Sequence, residues 1–107
     1  MPPTIHKAER VFVGANAGGV LWWDELTLGE AIDRRNTGED IVVRGQDKVA
    51  NRDQARAIEE AVGPCDLHLP HPNRGPLALP HYQQLSGSPA GHSFYEVDHR
   101  KARKKRK

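Results

Sequence analysis

Apolar positions along the chain fall into short runs that predict β-strands. Three of these runs are rich in β-branched or aromatic residues, and a fourth stretch alternates in polarity. Glycines, alanines and one asparagine occupy positions 14–19 between the first two runs, so those two strands are expected to form a hairpin. Residues 1–9 show no periodicity and are expected to form an arm. The predicted strands lie near residues 10–13, 20–23, 41–44 and 92–97.

Two helices are predicted from apolar residues at helical spacing and from capping residues. Thr27 with Glu30 three positions later forms a capping box for a helix over residues 28–36. Asn51 is a favoured N-cap residue, and a Gly-Pro pair ends the helix predicted over residues 51–62. Strands and helices together predict an α+β fold, in which a small, mainly antiparallel sheet packs against two helices.

Length and composition favour a single domain. The 107 residues with 36% apolar content can bury one modest core. We find neither a membrane-length apolar run nor a signal-peptide pattern, so we expect a soluble chain without membrane contact and without its own export signal. The single cysteine, Cys65, is expected to be a buried or inert thiol.

Charge divides the chain into an acidic body and a basic tail. Residues 1–98 contain nine Lys/Arg and fourteen Asp/Glu, a net charge of −5, whereas residues 99–107 contain seven Lys/Arg and no acid. A block of like charge repels itself, so the tail is predicted to be disordered and the compact domain to end at residue 98. Such a tail would attract nucleic-acid phosphates, or would only aid solubility.

The most unusual segment is residues 63–96, which holds four of the six histidines and six of the eight prolines. Its prolines and glycines exclude a helix, while its leucines and aromatic residues argue against disorder. We therefore predict an ordered loop region that gathers imidazoles. Histidines titrate near neutral pH, so such a region is typical of proton transfer or metal binding.

Metal ligation by His68, His71, His81 and His92 is the first possibility. Flanking prolines fix an extended backbone rather than the compact knuckle or helical pair typical of zinc sites. We therefore predict a site without metal or cofactor. A metal-dependent nuclease of the HNH type remains an alternative.

Metal-independent cleavage of RNA suits these residues better, because the substrate's 2′-hydroxyl supplies the nucleophile. The protein then needs a general base, a general acid and donors for the charged phosphorus centre. His81 and His92 are the predicted acid and base, Glu96 is a substitute base and Tyr82 is a donor. Tyr95, on the opposite face of its strand from His92, is expected to be core. The predicted substrate-binding residues are Arg44, His71, Arg74, Arg100, Lys101 and Arg103.

The second predicted strand ends with Trp22 and Trp23, whose side chains can bury more apolar area than any others in the chain. Core packing is their expected role. Because adjacent strand residues face opposite ways, a stacking platform for bases is the alternative.

Several strings resemble the C-terminal toxin modules of bacterial polymorphic toxins of the Rhs type. They are PHPNRGPLALPHYQ, GHSFYE and RKARK, preceded by GEDIVVRG and NRDQARAIEEAVGP, and the resemblance covers about residues 38–104. It implies an RNase of the barnase, colicin and EndoU group, delivered by a secreted carrier into the target-cell cytoplasm and blocked by a cognate immunity protein. The acidic body departs from this nuclease pattern. A non-enzymatic nucleic-acid or partner-binding module is the alternative from another class.

Overall fold

The computed structural model describes residues 2–70 and 77–106, and this part of the chain forms one sheet of seven strands with two helices. The α+β class is therefore confirmed. Within the described residues, no helix combines the length and apolar character needed to cross a membrane. The elements are β1 (Thr4–Arg10), β2 (Val20–Leu26), α1 (Leu28–Asn36), β3 (Ile41–Arg44), α2 (Lys48–Val62), β4 (Cys65–His68), β5 (His81–Gln84), β6 (Ser93–Tyr95) and β7 (Arg103–Lys104).

The strands are ordered β4-β5-β6-β3-β1-β2-β7 across the sheet. Four of the six neighbouring pairs are antiparallel, including the predicted hairpin of β1 and β2. The β3–β6 and β2–β7 pairs are parallel. The sheet is thus mainly antiparallel, as predicted, and the histidine-rich strands form one end of it.

The two faces of the sheet carry separate apolar cores. The face that packs against α1 and α2 contains Ile5, Ala31, Ile41, Val43, Ala55, Ile58, Tyr82 and Tyr95. The opposite face contains Ala8, Val20, Val42, Leu79, Phe94 and Ala102. Leu79 precedes β5 and Ala102 precedes β7, so two connecting segments, rather than helices, cover this second face.

A fully buried ion pair joins the helices to the sheet. Arg35 of α1 donates from Nε and Nη2 to the two carboxylate oxygens of Glu59 of α2, at 2.9 and 3.0 Å, and both side chains are 0% exposed. Ser93 Oγ and Gln84 Nε2 also donate to Glu59, at 2.7 and 2.5 Å. Because buried charges need complete hydrogen bonding, this network specifies how α1, α2, β5 and β6 meet.

Both helices are capped, but α2 begins earlier than predicted. The Thr27 capping box of α1 is confirmed. The N-cap of α2 is Asp47, whose carboxylate accepts from two backbone amides. Asn51 lies inside the helix and is 1% exposed, and its Nδ2 donates to the carbonyls of Gly45 and Glu96. The Asn51 side chain therefore makes tertiary hydrogen bonds instead of capping the helix.

The first strand was predicted at the wrong position. β1 spans Thr4–Arg10, so all but its last residue belong to the expected arm, whereas Phe12 and Val13 from the apolar run are 74% and 82% exposed. β1 pairs with β2 on one side and β3 on the other. Its strand structure depends on these two partners rather than on its own apolar content.

Two further expectations are corrected. The segment predicted as a loop contains the antiparallel pair β4–β5. The predicted disordered tail contains β7, and the amide of Lys105 donates to the carbonyl of Trp22 at 2.8 Å. Ala102 is buried at 8% exposure. A short apolar residue and backbone pairing thus outweigh the like-charge repulsion that predicted disorder.

Candidate active site

Three histidines come together on one face of β4, β5 and β6, and we call His68, His81 and His92 the histidine cluster. His68 and His81 are register partners, and their rings stack with centroids 5.5 Å apart and planes 3° from parallel. His92 directly precedes β6, and its ring meets the His81 ring edge-on with centroids 4.5 Å apart. Phe94 contacts both His81 and His92, at 5.2 Å between centroids. His81 is therefore the middle ring of the three.

His92 is held in place by Asp40. One carboxylate oxygen of Asp40 accepts the His92 backbone N–H at 2.7 Å and lies 3.2 Å from its Nδ1. Asp40 and His92 directly precede the parallel strands β3 and β6, whose pairing starts with Ile41 and Ser93. The His92 side chain is 19% exposed. With Nδ1 at the carboxylate, Nε2 is the nitrogen left to exchange a proton with a substrate.

Arg35 fixes the backbone on both sides of this contact. Its Nη1 donates to the carbonyl of Glu39 at 3.0 Å and to the carbonyl of Ala90 at 2.8 Å. Glu39 precedes Asp40 by one position, and Ala90 precedes His92 by two. One buried guanidinium thus sets the relative position of the carboxylate and the imidazole.

Gly91 permits this arrangement. Its φ is +94°, a conformation that favours glycine, and an added Cβ would lie 2.7 Å from Arg35 Nη1 and 2.8 Å from the Gly38 carbonyl oxygen. A side chain at position 91 would therefore displace His92 or Arg35.

His81 is poorly placed for proton exchange. Its Nε2 lies 3.0 Å from Gln83 Oε1, and its Nδ1 is buried without a hydrogen-bond partner among the described residues. Burial lowers the pKa of His81 to about 4, and the positive charge of His92 adds to that effect. His81 is accordingly neutral near pH 7.

His68 is the exposed member of the histidine cluster. Sequence reasoning included it only as a possible metal ligand. Its stacking on His81 depends on the β4–β5 register, which pairs residues thirteen positions apart. Recognition of that hairpin across the prolines would have been the signal that places His68 in the site.

The ring orientations bear on metal binding. Imidazole lone pairs lie in the ring plane, so the parallel rings of His68 and His81 do not direct them at a common point. In the described residues, no group of three or more His, Cys, Asp or Glu side chains is arranged to hold a metal ion. His71 lies outside the residues that the structure describes.

Tyr82 does not join the histidine cluster. It neighbours His81 in β5 and therefore faces the other side of the sheet, where it is 6% exposed in the helix-side core. Its ring lies 6.1 Å from that of Tyr95, and burial raises the pKa of both phenols. The expected core position of Tyr95 is confirmed, and Tyr82 shares it.

Glu96 also lies apart from the histidine cluster. Four residues of extended chain separate it from His92, about 13 Å. Its carboxylate is 3% exposed, accepts from Arg44 Nε at 3.1 Å and accepts from the Ala102 amide at 2.9 Å. In the structure, Glu96 thus holds the C-terminal segment against the sheet.

The predicted substrate-binding cations are dispersed. Arg44 and Lys101 line a recess of about 300 Å³ that also includes Glu96. Arg100 donates to the Ala78 carbonyl at 2.8 Å, and Arg103 is exposed on β7. Arg74 lies outside the described residues. At strand spacings of about 4.8 Å, β7 is about 19 Å from β6, so Arg103 does not flank the histidines.

No protein-family model, no curated protein and no solved structure matches the chain. The resemblance to polymorphic toxin modules therefore stays a prediction, and the function is inferred from the site.

Proposed function

We propose that the chain is a metal-independent ribonuclease module in which His92 and His68 exchange protons with RNA. The observation that supports this most directly is the arrangement of the histidine cluster. The exposed His68 and the 19% exposed His92 flank a neutral third ring whose Nδ1 is buried. His81 then acts as a spacer that sets the separation of His68 and His92, instead of being the acid or base itself.

Such a pair suffices for transesterification. One neutral imidazole takes the proton of the 2′-hydroxyl as its oxygen attacks phosphorus. The other imidazole, protonated, gives a proton to the departing 5′-oxygen. The products are a 2′,3′-cyclic phosphate and a 5′-hydroxyl, and the two histidines end with exchanged protonation states. Asp40 keeps Nε2 of His92 directed at the substrate throughout.

The biological setting that we propose follows from the sequence resemblance. The module would be delivered by a secreted carrier and would act on RNA in the cytoplasm of a target cell. A cognate immunity protein would protect the producing cell. A histidine site that needs no captured metal or cofactor suits a module of this kind.

The test is incubation of the purified full chain with total RNA, with and without EDTA. We expect cleavage in both conditions, with a bell-shaped pH profile. His92→Ala should lower the rate about a hundredfold or more and His68→Ala by a similar factor, while both keep the wild-type circular dichroism spectrum. His81→Phe preserves a ring in the middle position and should retain most of the activity.

Other outcomes identify the alternatives. Cleavage of DNA abolished by EDTA would indicate the metal-dependent nuclease instead. Full activity of His92→Ala and His68→Ala would remove the histidine cluster from the mechanism. Nucleic-acid binding without any cleavage would favour a binding module, the second candidate, because β7 places basic side chains beside two tryptophans.

A further inference from the structure

A second group of aromatic and basic side chains lies at the edge of the sheet where β7 pairs with β2. In the described residues the ladder joins Leu21 to Arg103 and Trp22 to Lys104, although β2 continues to Leu26. Beyond the ladder, β2 and the chain after β7 enclose an open groove of about 400 Å³, which we call the edge groove. It is lined by aromatic and basic side chains and by two carboxylates: His6, Trp22, Trp23, Lys104, Lys105 and Arg106, with Asp24 and Glu25.

Each tryptophan of the edge groove carries cations at its ring. Lys105 Nζ lies 4.4 Å from the centroid of Trp23, and Lys104 Nζ lies 5.8 Å from that of Trp22. His6 meets Trp22 edge-on at 4.8 Å, and its Nδ1 lies 2.8 Å from the carbonyl oxygen of Trp23. The buried His6 imidazole therefore helps to fix the positions of Trp22 and Trp23, while the lysines belong to the exposed C-terminal segment.

We infer that the edge groove binds single-stranded RNA, with a base stacked on Trp23 and the adjoining phosphates on Lys104 and Lys105. This inference rests on the proposed function and gives the ribonuclease a second contact with its substrate. An aromatic face beside flexible cations is the combination that single-strand-binding proteins use, since stacking accepts any base and charge follows the backbone.

Lys105 can leave the Trp23 ring at small cost. Its ammonium pairs with Glu9 at 3.2 Å, and these two side chains are 40% and 45% exposed. Pairs this exposed contribute little to stability, and an exposed cation–π contact is similarly weak. A base that takes the place of Lys105 on Trp23 therefore leaves the ammonium near the phosphate that it would bind.

The edge groove also explains how an acidic body can hold RNA. Trp22 packs against the same core as Phe94, which contacts the histidine cluster, whereas the ring of its neighbour Trp23 lies 5.4 Å from Arg34 of α1. An RNA strand that stacks on Trp23 therefore has to pass around the β7 edge to reach the histidines. Four strand spacings separate β7 from β6, about 19 Å. A single strand of about four nucleotides or more can therefore reach from the edge groove to the histidine cluster. This length is at the lower end of known single-strand binding sites.

The experiment measures binding of the full chain to a fluorescent single-stranded DNA of about twelve nucleotides, which lacks the 2′-hydroxyl and so resists this cleavage. Trp23→Ala should weaken binding about tenfold or more, and Trp23→Phe should restore most of it. Lys104→Ala with Lys105→Ala should reduce the salt slope of log affinity by about 1.4, two contacts at about 0.7 each.

A matched control removes two cations elsewhere. Arg52 and Arg56 are exposed on α2, which packs on β3, β5 and β6, and their double alanine variant should keep both the affinity and the salt slope. Wild-type binding by Trp23→Ala and by the double lysine variant would overturn the inference. So would equal competition by a polyglutamate peptide of the same length, because stacking would then contribute nothing.

The measurements of binding and of cleavage distinguish a failure of the edge-groove inference from a failure of the proposed ribonuclease function. A chain that binds DNA as described but leaves RNA intact refutes the ribonuclease and retains the edge groove. A chain whose histidine variants lose cleavage while Trp23→Ala changes neither binding nor cleavage retains the ribonuclease and refutes the edge groove.

Discussion

At the residue scale, a single imidazole shows how neighbours change chemistry. His81 was predicted as a proton-transfer group because histidine titrates near neutral pH. Between two other rings and partly buried, its pKa is lowered to about 4, so it stays neutral where an unperturbed histidine begins to charge. At His92, by contrast, Asp40 lies at Nδ1 and leaves Nε2 for proton exchange. Position in the cluster, rather than residue type, separates the roles.

The lowered pKa makes stability depend on pH. Folded His81 takes up a proton less readily than the unfolded chain, so this contribution is complete above pH 6.5 and is lost as pH falls from 6.5 towards 4. It is smaller than about 3 kcal/mol because the ring is partly exposed. Urea denaturation at pH 7.5 and pH 4.5 should show a smaller acid loss in His81→Phe than in wild type. An equal loss in the two proteins would contradict this assignment.

Substitution at Gly91 should affect the site through the backbone. Gly91→Ala places a Cβ within 3 Å of Arg35 and Gly38 at a positive φ, so we expect about 2 kcal/mol or more of destabilisation and a loss of RNA cleavage. Gly29 of α1 is the matched control, since its Cβ would meet open space. Gly29→Ala should keep full activity and unfold at the same urea concentration or a higher one. Wild-type stability of Gly91→Ala would disprove the crowding.

At the element scale, the helices act as a frame for the strands that carry the site. α1 supplies Arg35, which contacts α2 through Glu59 and holds the peptide groups beside Asp40 and His92. The parallel pairing of β3 and β6 brings the Asp40 and His92 ends together. Precision at the histidine cluster therefore depends on a buried ion pair outside it.

Removal of one partner of that ion pair should be costly. Arg35→Met leaves Glu59 buried without its countercharge, and we expect a loss of about 3 to 5 kcal/mol. The double variant Arg35→Met, Glu59→Leu should lose less than the single one, because no buried charge remains. Arg56→Ala breaks the exposed Arg56–Glu60 pair and should cost less than about 1 kcal/mol. Chemical denaturation of all three compares them, and similar losses at Arg35 and Arg56 would contradict this view.

At the scale of the whole molecule, the candidate catalytic histidines and the basic residues that would attract nucleic acid lie at opposite ends of the sheet. The histidine cluster occupies the β4–β5–β6 end, and the basic strand β7 forms the opposite edge. The C-terminal segment is part of the fold, since Ala102 enters the core and its amide bonds to Glu96. Through Ala102 and the β7 pairing, the described part of the basic segment is therefore attached to an acidic body.

Loss of the tail should have two separable effects. Deletion of residues 102–107 removes Ala102 and β7, so both the stability and the affinity for nucleic acid should fall. A variant with Arg103, Lys104, Lys105 and Arg106 changed to Gln keeps the backbone pairing and Ala102. It should keep most of the stability, while the slope of log affinity against log salt shrinks by about 0.7 per lost contact. An unchanged midpoint of urea unfolding after deletion would show that the segment is not part of the fold.

Sequence alone determined the features that depend on near neighbours in the chain. The Thr27 capping box, the body of α2, the strand over residues 41–44 and the alternation that separates Phe94 from Tyr95 were all predictable, because capping and periodicity act over a few residues. Tertiary structure decided the rest. β1, β7 and the β4–β5 pair exist through partners distant in sequence, and only the β4–β5 pairing brings His68 into the site. Strand pairing depends on residues that are far apart in the sequence. The histidine-rich segment could therefore be identified from sequence as the candidate site, but the geometry of that site could not.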